Sequence, residues 1–430
     1  MALAKKNVDE TEALIGRHEN AEGGAGWAKD ARLGALARLR SMGAPARRDE
    51  YWKFTNPARL VSDNPAQAQA LKPEETQIFQ DVEQLRVTFV DGVYRADLSD
   101  PLELAGLEIE TLDQALSKDI HWARDLFGVL EAKGQDPVDR PLAALNTATA
   151  TQGLVIRATG KAAKPISIRY VHEGAGSDAV VHHVIRVEEG AGLTVLESGP
   201  VAARCNIAME VDIADKAEFH HIRTQGRDHD RAVVTHSFAR IGSESLFKSF
   251  TLTVNGSLTR NECVIEMTGD ESSAHIGGVA SGSDDFVHDD TVFITHDAVN
   301  CESRQVFKKV LRNGATGIFQ GKILVKADAQ KTDGYQISQG LLLDDDSQFL
   351  AKPELEIYAD DVACSHGSTC GGVDETSLFY LTSRGISKQD AQDMLVLAFA
   401  DEAIAEIADE TLADEIRDCL GRWISRASAG

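Results

Sequence analysis

Cysteine is scarce in this 430-residue chain, which holds six cysteines and no pair spaced as Cys-x-x-Cys. So few cysteines exclude a disulfide scaffold, and the missing spacing excludes a zinc ribbon and a thioredoxin-type redox motif. The cysteines are therefore expected to be reduced and buried as small apolar side chains, with Cys364 and Cys370 as a partial exception. Long apolar runs are also absent, since no stretch reaches the roughly 18 residues of a membrane-spanning helix. The first residues lack the apolar segment of a secretory signal.

Basic residues are outnumbered, with 44 lysines and arginines against 68 aspartates and glutamates and a net charge of −24. Such a surface repels phosphate backbones and anionic lipids, so we expect neither nucleic acid nor a membrane as a partner. Hydrophobic residues make up 43% of the chain, enough for a substantial core. These properties predict a folded, acidic, cytoplasmic protein.

The common catalytic motifs are missing as well. The chain has no phosphate-binding loop of the form G-x-x-x-x-G-K-[ST], no H-E-x-x-H zinc motif and no G-x-S-x-G nucleophile elbow. The glycine-rich residues 317–323 have the wrong spacing for a phosphate loop and end in isoleucine. No residues therefore support an ATPase, a zinc protease or a hydrolase of these classes.

The periodicity of hydrophobic residues divides the chain into three stretches. Residues 1–80 are predicted to be helical, including a helix from Trp27 to Met42. Residues 81–384 comprise a lead-in segment and then many short β-rich runs separated by Gly, Asn and Asp. Residues 385–430 are predicted to be helical again.

The C-terminal stretch has clear helix signals. Ser387 is a candidate N-cap with Asp390 in the first turn, and a second helix is expected to begin near Glu410. Both predicted helices carry broad apolar faces. They either cap the end of the β region or form a docking surface for a partner.

The β region is too rich in short strands and too poor in helices for a doubly wound α/β sheet. A sandwich, a propeller and a β-solenoid remain. We find no propeller signature and no strict repeat. The pattern therefore favours an irregular parallel β-helix, flanked by helical regions at both ends.

Two acidic runs and two histidine pairs are candidates for chemistry. Asp289-Asp290 and Asp344–Asp346 could serve in general acid–base catalysis or bind calcium, although the residues around them are typical of solvated turns. The pairs His182-His183 and His220-His221 fall in predicted strands, where neighbouring side chains face opposite sides. Each pair is therefore expected to place one imidazole inward and one outward, and not to bind one ion together.

The densest group of potential ligands lies at Cys364 and His366. In an extended strand these two side chains share a face, and a thiolate with an imidazole suits iron or zinc. Two ligands hold an ion weakly, so further ligands would have to come from elsewhere, including another chain. The alternative is a buried cysteine beside a hydrogen-bonded histidine at a turn. Cys370 lies beyond Gly367, and its involvement stays open.

This part of the chain also resembles a known family. The matching segments are residues 329–336 (AQKTDGYQ), 352–357 (KPELEI), 360–367 (DDVACSHG), 378–381 (LFYL) and 383–386 (SRGI), with residues 47–55 near the N-terminus. They resemble the SufB/SufD family of iron–sulfur cluster assembly scaffolds. Leu381, where SufB proteins carry a cysteine, and Ser365-His366, in place of their Glu-His pair, are similar to the SufD branch.

The resemblance implies a right-handed parallel β-helix between two helical regions, and a scaffold subunit that is not an enzyme. Its implied partners are a SufC-type ABC ATPase on the C-terminal helices and a SufB-type paralogue along the β-helix. A cysteine desulfurase system would act on the complex indirectly. The ATPase would then be another subunit, in keeping with the missing phosphate loop.

The resemblance also implies a site. His366, beside Cys364, would provide or position a ligand for iron or a nascent cluster at the junction with the SufB-type subunit, and Glu402 matches a family acidic position more weakly. No cofactor would be held permanently, iron or a cluster would be transient, and a flavin at the level of the complex is left open. The alternatives are a β-helix enzyme acting on polysaccharide through Asp344–Asp346 and a structural adaptor without metal.

Overall fold

The structure is a computed structural model that describes residues 8–18, 24–70, 78–226 and 230–428. The remaining positions, which fall in all three predicted stretches, lie outside the described residues. Among the helices of the described ranges, none is both long enough and apolar enough to cross a lipid bilayer.

Helices open the described chain, strands dominate its middle, and helices close it. In chain order the elements are α1 (Val8–Gly16), α2 (Gly26–Met42), α3 (Ala58–Val61), β1 (Leu85–Val90), β2 (Val93–Tyr94), β3 (Glu103–Leu104), β4 (Leu107–Thr111), α4 (Leu112–Ser117), α5 (Val129–Lys133), α6 (Pro141–Thr149), β5 (Leu154–Ala158), β6 (Ile166–Val171), β7 (Asp178–Val187), β8 (Gly192–Ser198), β9 (Arg204–Ile213), β10 (Glu218–Gly226), β11 (Ala232–Ile241), β12 (Leu246–Val254), β13 (Leu258–Met267), β14 (Ser273–Ser283), β15 (Val287–His296), β16 (Glu302–Arg312), β17 (Thr316–Val325), β18 (Asp333–Leu342), β19 (Gln348–Ile357), β20 (Ala363–Gly371), α7 (Glu375–Thr382), α8 (Lys388–Ile404) and α9 (Glu410–Ser428).

Consecutive strands from β5 onward alternate between two sheets, which makes this region a parallel solenoid. Sheet A runs β2-β1-β6-β8-β10-β12-β14-β16-β18-β20, and sheet B runs β3-β4-β5-β7-β9-β11-β13-β15-β17-β19. In sheet A, Gly192 pairs with Glu218, and Glu302 pairs with Asp333, so the length of one turn varies from 26 to 31 residues. The predicted parallel β-helix is confirmed, and neither a sandwich nor a propeller is formed.

A column of tight turns repeats along the solenoid although the sequence shows no strict repeat. In each turn a non-glycine residue in the left-handed conformation precedes a small buried residue: Lys216–Ala217, Glu244–Ser245, Glu271–Ser272, Asn300–Cys301 and Lys331–Thr332. Backbone hydrogen bonds join successive turns, for example from the N–H of Lys216 to the carbonyl of Ser243. The repeat therefore lies in backbone conformation and in the size of one side chain.

The N-terminal residues 47–55 pack on the outer face of sheet B. Tyr51, Trp52 and Thr55 are buried there. The guanidinium of Arg260 lies 4.2 Å above the Trp52 ring and donates to the Tyr51 carbonyl at 2.9 Å, while Thr55 donates to Asp289. This segment anchors the N-terminal region to the solenoid.

The C-terminal helices pack on the outer face of sheet A. Ser387 accepts a hydrogen bond from the Asp390 N–H as the N-cap of α8, and α9 begins at Glu410, so both predicted helix starts are confirmed. Val396, Ala400 and Ile404 face the sheet and are buried. The last strand ends at Gly371 and helix α7 begins at Glu375, so helical structure resumes before residue 385.

His182 and His183 face opposite sides of β7 as predicted, but both are buried. The Nε2 of His183 lies 2.9 Å from the Tyr170 hydroxyl inside the solenoid. The Nε2 of His182 lies 3.0 Å from a Glu210 carboxylate oxygen, and its ring packs 4.9 Å from that of Phe127. The outer face is therefore covered by protein at this point. Burial lowers the pKa of His183 to about 4.

Candidate functional site

The last turn of the solenoid presents Cys364 and His366 on one face of the terminal strand β20. Across sheet A, Cys364 pairs in register with Gly334, and His366 pairs with Gln336 of β18. Gly334 and Gln336 are buried, whereas β20 is largely exposed. The two predicted ligands therefore lie at an open end of the solenoid, on the strand face that continues its interior.

The thiol of Cys364 is half-buried. The absence of a side chain at Gly334 makes room for it, since a Cβ there would lie 3.1 Å from the Cys364 sulfur. The thiol packs against a small cluster that includes Ile323 and Val325. Burial raises the pKa of the Cys364 thiol, which favours the protonated form. Because the thiolate is the metal ligand, an approaching cation would have to displace that proton.

The imidazole of His366 is exposed and makes no hydrogen bond or ion pair with the residues that the structure describes. Behind it, Gln336 Nε2 donates to Gln305 Oε1 at 3.0 Å. Both amides are fully buried, and Gln336 Oε1 and Gln305 Nε2 have no partner. The polar side chains of Gln336 and Gln305 thus continue inward from His366 on the neighbouring turns. A ring nitrogen of the neutral His366 imidazole can coordinate a metal.

These two side chains do not complete a metal site. Within the described ranges, no three His, Cys, Asp or Glu side chains are close enough together to hold an ion. Cys370 is exposed and pairs with Gly340, farther along β20. Iron–sulfur and zinc sites use about four protein or sulfide ligands. Cys364 and His366 can therefore contribute only part of a site whose other ligands lie outside this part of the chain.

Glu402 lies elsewhere. Its carboxylate accepts from the ammonium of Lys308, which also donates to Gln339 and lies 4.9 Å above the ring of Phe399. Lys308 is 1% exposed and points from sheet A toward α8, the face opposite to that of His366. Glu402 thus attaches helix α8 to the solenoid and is not brought together with Cys364 and His366.

The acidic runs serve the fold. The Asp344 carboxylate accepts from the backbone N–H groups of Asn313, Asp346 and Ser347, which closes a turn. Asp289 accepts from Arg260, and Asp290 accepts from Lys309 at 2.7 Å. These contacts do not support the alternative of a polysaccharide-cleaving enzyme.

The remaining cysteines behave as small apolar side chains, which confirms the expectation for Cys205, Cys263, Cys301 and Cys419. All four are buried and reduced. Burial raises the pKa of Cys205 and of Cys263 to about 12. Because the thiolate is the reactive form, burial makes the Cys205 and Cys263 thiols poor nucleophiles at neutral pH.

A second surface feature was not singled out by the sequence patterns. Helix α7 contains no buried residue, and its Phe379 is 74% exposed and its Tyr380 53% exposed. Met394 on the neighbouring helix α8 is 49% exposed. The signal in the sequence that could have indicated this surface is the run of large apolar residues in LFYL. Such a run is compatible with a helix that buries one face and equally with a helix that is exposed all round. We call Phe379, Tyr380 and Met394 the α7–α8 patch.

Comparison with known proteins assigns the sequence of this chain to a family. A model described as SUF system FeS cluster assembly, SufBD core domain, matches residues 170–399, more than half of the chain. The chain is 28% identical to the iron–sulfur cluster assembly protein SufD of Escherichia coli, over 90% of this chain and 91% of that protein. It is 27% identical to a SufBD family protein of Synechocystis, over 90% and 89%. It is 25% identical to SufD of Bacillus subtilis, over 93% and 94%.

The matched residues cover most of the solenoid and extend into helix α8, and the similarity to the two SufD proteins reaches both helical ends. The resemblance of the sequence motifs is thereby confirmed. This chain belongs to the SufB/SufD family of the SUF system for iron–sulfur cluster assembly, and it is of the SufD type.

Proposed function

We propose that this chain is a non-enzymatic scaffold subunit on which an iron–sulfur cluster is assembled. The observation that carries the proposal is the open last turn, where Cys364 and the unpartnered His366 share one face of β20. Family membership supports a role in SUF cluster assembly. Iron and sulfide are then the cargo of the site, and a transient cluster would take its remaining ligands from sulfide and a second subunit.

The backbone of β20 supports pairing with a second solenoid. The N–H of Ala363 donates to the Thr332 carbonyl of the β18 side at 2.8 Å. Because alternate residues of a parallel strand bond to opposite neighbours, the N–H groups of Cys364, His366 and Ser368 face the open edge. An edge with free donors and acceptors is a template for strand addition.

The edge of sheet B, formed by β19, is less suited to the addition of a strand. The N–H of Gln348 donates to the Ala315 carbonyl, so the odd-numbered residues of β19 face outward, and Pro353 is one of them. Proline has no N–H to offer a new strand. We therefore assign strand pairing with the SufB-type subunit to β20, which places the partner's backbone beside Cys364 and His366.

The α7–α8 patch supports docking of a SufC-type ATPase. Large exposed apolar side chains on neighbouring helices mark interaction surfaces. This chain contains no phosphate-binding loop, so an ATP-driven step needs a separate ATPase. The patch lies beyond the last strand, and its helix α8 is ion-paired to the solenoid through Glu402 and Lys308. Movement of these helices would therefore reach sheet A directly.

We expect Phe379→Ser to weaken binding of the SufC-type ATPase by at least about tenfold, since aromatic anchors dominate interface energies. Affinity is measured by surface plasmon resonance with the purified ATPase. The matched control is Ile120→Ser, which alters a residue that is 88% exposed on the N-terminal side of the solenoid. Equal affinities for the two variants would remove the α7–α8 patch as the docking surface.

We expect His366→Ala to leave assembly with the ATPase and the SufB-type subunit intact while lowering cluster formation by about tenfold or more, because a ligand at the junction is lost. Assembly is followed by size-exclusion chromatography. Cluster formation is followed by anaerobic iron and sulfide assay and by visible absorption.

The control is Ser365→Ala, an exposed neighbour on the opposite face of β20. Failure of the His366→Ala chain to assemble would make His366 a structural residue. Full cluster yield in a Cys364→Ser/His366→Ala double variant would favour the metal-free adaptor.

The same proposal includes a source of sulfur, the absence of a permanent cofactor and a cellular location. In this proposal a cysteine desulfurase system supplies the sulfur. We assign no permanently bound cofactor to this chain and place its work in the cytoplasm. Binding of a flavin would then be a property of the assembled complex.

A further inference from the structure

A cleft of about 1350 Å³ lies between the N-terminal part of sheet A and the last helices. Strands β1, β6, β8 and β10 form one wall, and helices α8 and α9 form the other. The cleft is separate from β20 and from the α7–α8 patch, and the proposed scaffold function does not use it.

The sheet wall presents a row of hydrogen-bond donors. Arg169 pairs in register with Ser198, and Ser198 pairs with Thr224, on three neighbouring strands. Neighbouring strands lie about 4.8 Å apart, so the three side chains line one strip of the wall. The Ser198 hydroxyl makes no hydrogen bond within the described residues, and Thr224 makes only a long one of 3.4 Å to the Glu197 carbonyl.

Arg169 is the unusual member of this row. It is half-buried, yet its guanidinium has no hydrogen bond or ion pair in the described chain. Burial lowers its pKa, and the neighbouring charge of Arg86 lowers it further. Buried or half-buried charges in proteins are normally paired. Although the chain has 68 acidic residues against 44 basic ones, no carboxylate of the described residues is paired with this arginine.

The helix wall adds a second cation and an aromatic ring. Arg422 is exposed to the cleft without a partner among the described residues, and the indole of Trp423 is beside it. Arg417, in contrast, is saturated by Asp401, Glu410 and Asp414.

Asp401 shares Arg417 with two other carboxylates, and Asp418 is the one carboxylate among the described residues of the lining that lacks a basic partner. Arg169 and Arg422 are thus two cations of the described lining that have no ion-pair partner among the described residues, on a protein of net charge −24.

We infer that this cleft binds a phosphate-bearing small molecule, with Arg169 as the principal contact. A guanidinium matches the geometry of phosphate oxygens through parallel hydrogen bonds, and the Ser198 hydroxyl and Arg422 can reach the remaining oxygens. The volume exceeds that of an inorganic anion, and the Trp423 ring offers a surface for a planar group. The phosphate is either free pyrophosphate or part of a larger phosphorylated molecule.

The test is isothermal titration calorimetry of the full chain with pyrophosphate, AMP and adenosine at low and at raised ionic strength. We expect millimolar or tighter binding of pyrophosphate or AMP, weakened by salt, and none of adenosine. Tighter binding of AMP would identify a phosphorylated organic ligand, and tighter binding of pyrophosphate an inorganic one. Absence of binding for both phosphates would overturn the inference.

The variants sharpen the test. We expect Arg169→Gln to weaken phosphate binding at least tenfold and Asp418→Asn to strengthen it. The control Arg59→Gln, an exposed arginine of α3 on the sheet B side, should leave it unchanged. We also expect Arg169→Gln to keep or raise the melting temperature, because it removes an unpaired charge. Should this variant fold poorly, Arg422→Gln on the other wall replaces it. Equal affinity of wild type and both arginine variants would refute the site.

Discussion

Replacement of Glu197 by glutamine is expected to lower the free energy of unfolding by about 3–5 kcal/mol. Glu197 is fully buried inside the solenoid, where it neutralises the buried guanidinium of Arg223. The substitution keeps the volume of the side chain and removes its charge. The loss would be measured by urea denaturation followed by circular dichroism at pH 7.

The contacts of this carboxylate explain the size of the effect. One oxygen accepts from the Tyr170 hydroxyl at 2.6 Å, and the other accepts from His221 Nε2 and Arg223 Nε, each at 2.7 Å. A glutamine amide would direct an NH₂ group at one set of these donors. It would also leave Arg223 as an uncompensated charge in the interior, the costly outcome of breaking a buried ion pair.

The destabilisation caused by Glu197→Gln is expected to become smaller at low pH. Despite burial, the charge of Arg223 and the hydrogen bond from His221 hold the pKa of Glu197 well below its ordinary value of 4.5. Ionised Glu197 therefore contributes its full amount to the free energy of unfolding above about pH 4.5. This stabilisation is lost as the pH falls through the folded-state pKa. The difference in the free energy of unfolding between wild type and Glu197→Gln should be constant near neutral pH and should become smaller in acid.

A second acid effect is common to both proteins. Since the pKa of His183 falls from 6.5 to about 4 on folding, only the unfolded state takes up its proton between these values. Stability of the wild type should therefore decline as the pH drops from 6.5 toward 4. The variant should decline as well, and the pKa of His183 should be lower there because the Glu197 charge that raises it is lost.

The matched control is Glu188→Gln. Glu188 pairs with Arg157 at 2.6 Å, but both side chains are about one-third exposed. Exposed pairs contribute about 0–1 kcal/mol, so this variant should unfold almost like wild type. A loss of less than about 1 kcal/mol for Glu197→Gln would show that the interior network is not a source of stability.

This network also shows where the sequence stops being informative. Glu197 lies 27 residues from Tyr170 and 26 from Arg223, close to one turn of the solenoid. Strand alternation and helix caps are local signals, and they predicted the β region and the starts of α8 and α9. The contacts across one turn depend on the register, which is set by the turn column rather than by a repeated sequence. They could therefore not be read from the chain alone.

In the candidate site, too, some features could be predicted from the sequence and others could not. The two-residue spacing of Cys364 and His366 predicts a shared face of a strand, and the register of β20 places them so. The family resemblance supplied their proposed role. Neither predicted the buried amides of Gln336 and Gln305 behind His366, because these lie on neighbouring turns. The attachment of Glu402 to Lys308 likewise joins a helix to a strand 94 residues away.

The largest functional effect is expected at the edge of β20. We expect Ser368→Pro to raise the dissociation constant for the SufB-type subunit by at least about tenfold, while the isolated chain keeps its melting temperature. The Ser368 N–H faces the open edge, so proline removes a donor to the partner strand and leaves the backbone hydrogen bonds to β18 in place. It also removes the Ser368 hydroxyl, whose loss the Ser368→Ala control measures separately. Affinity is measured by analytical ultracentrifugation of the two subunits.

Two controls make this result specific. Ser368→Ala removes only the hydroxyl, which lies 2.7 Å from that of Ser338, and keeps the backbone donor. Ala351→Pro places a proline at an outward-facing N–H of β19, where Pro353 has already blunted the edge. Both control variants should pair normally. Equal loss of binding in Ala351→Pro and Ser368→Pro would mean that the partner covers both sheet edges alike. Normal binding of all three variants would mean that the subunits meet through side chains rather than through an added strand, because backbone pairing cannot tolerate proline at a bonded position.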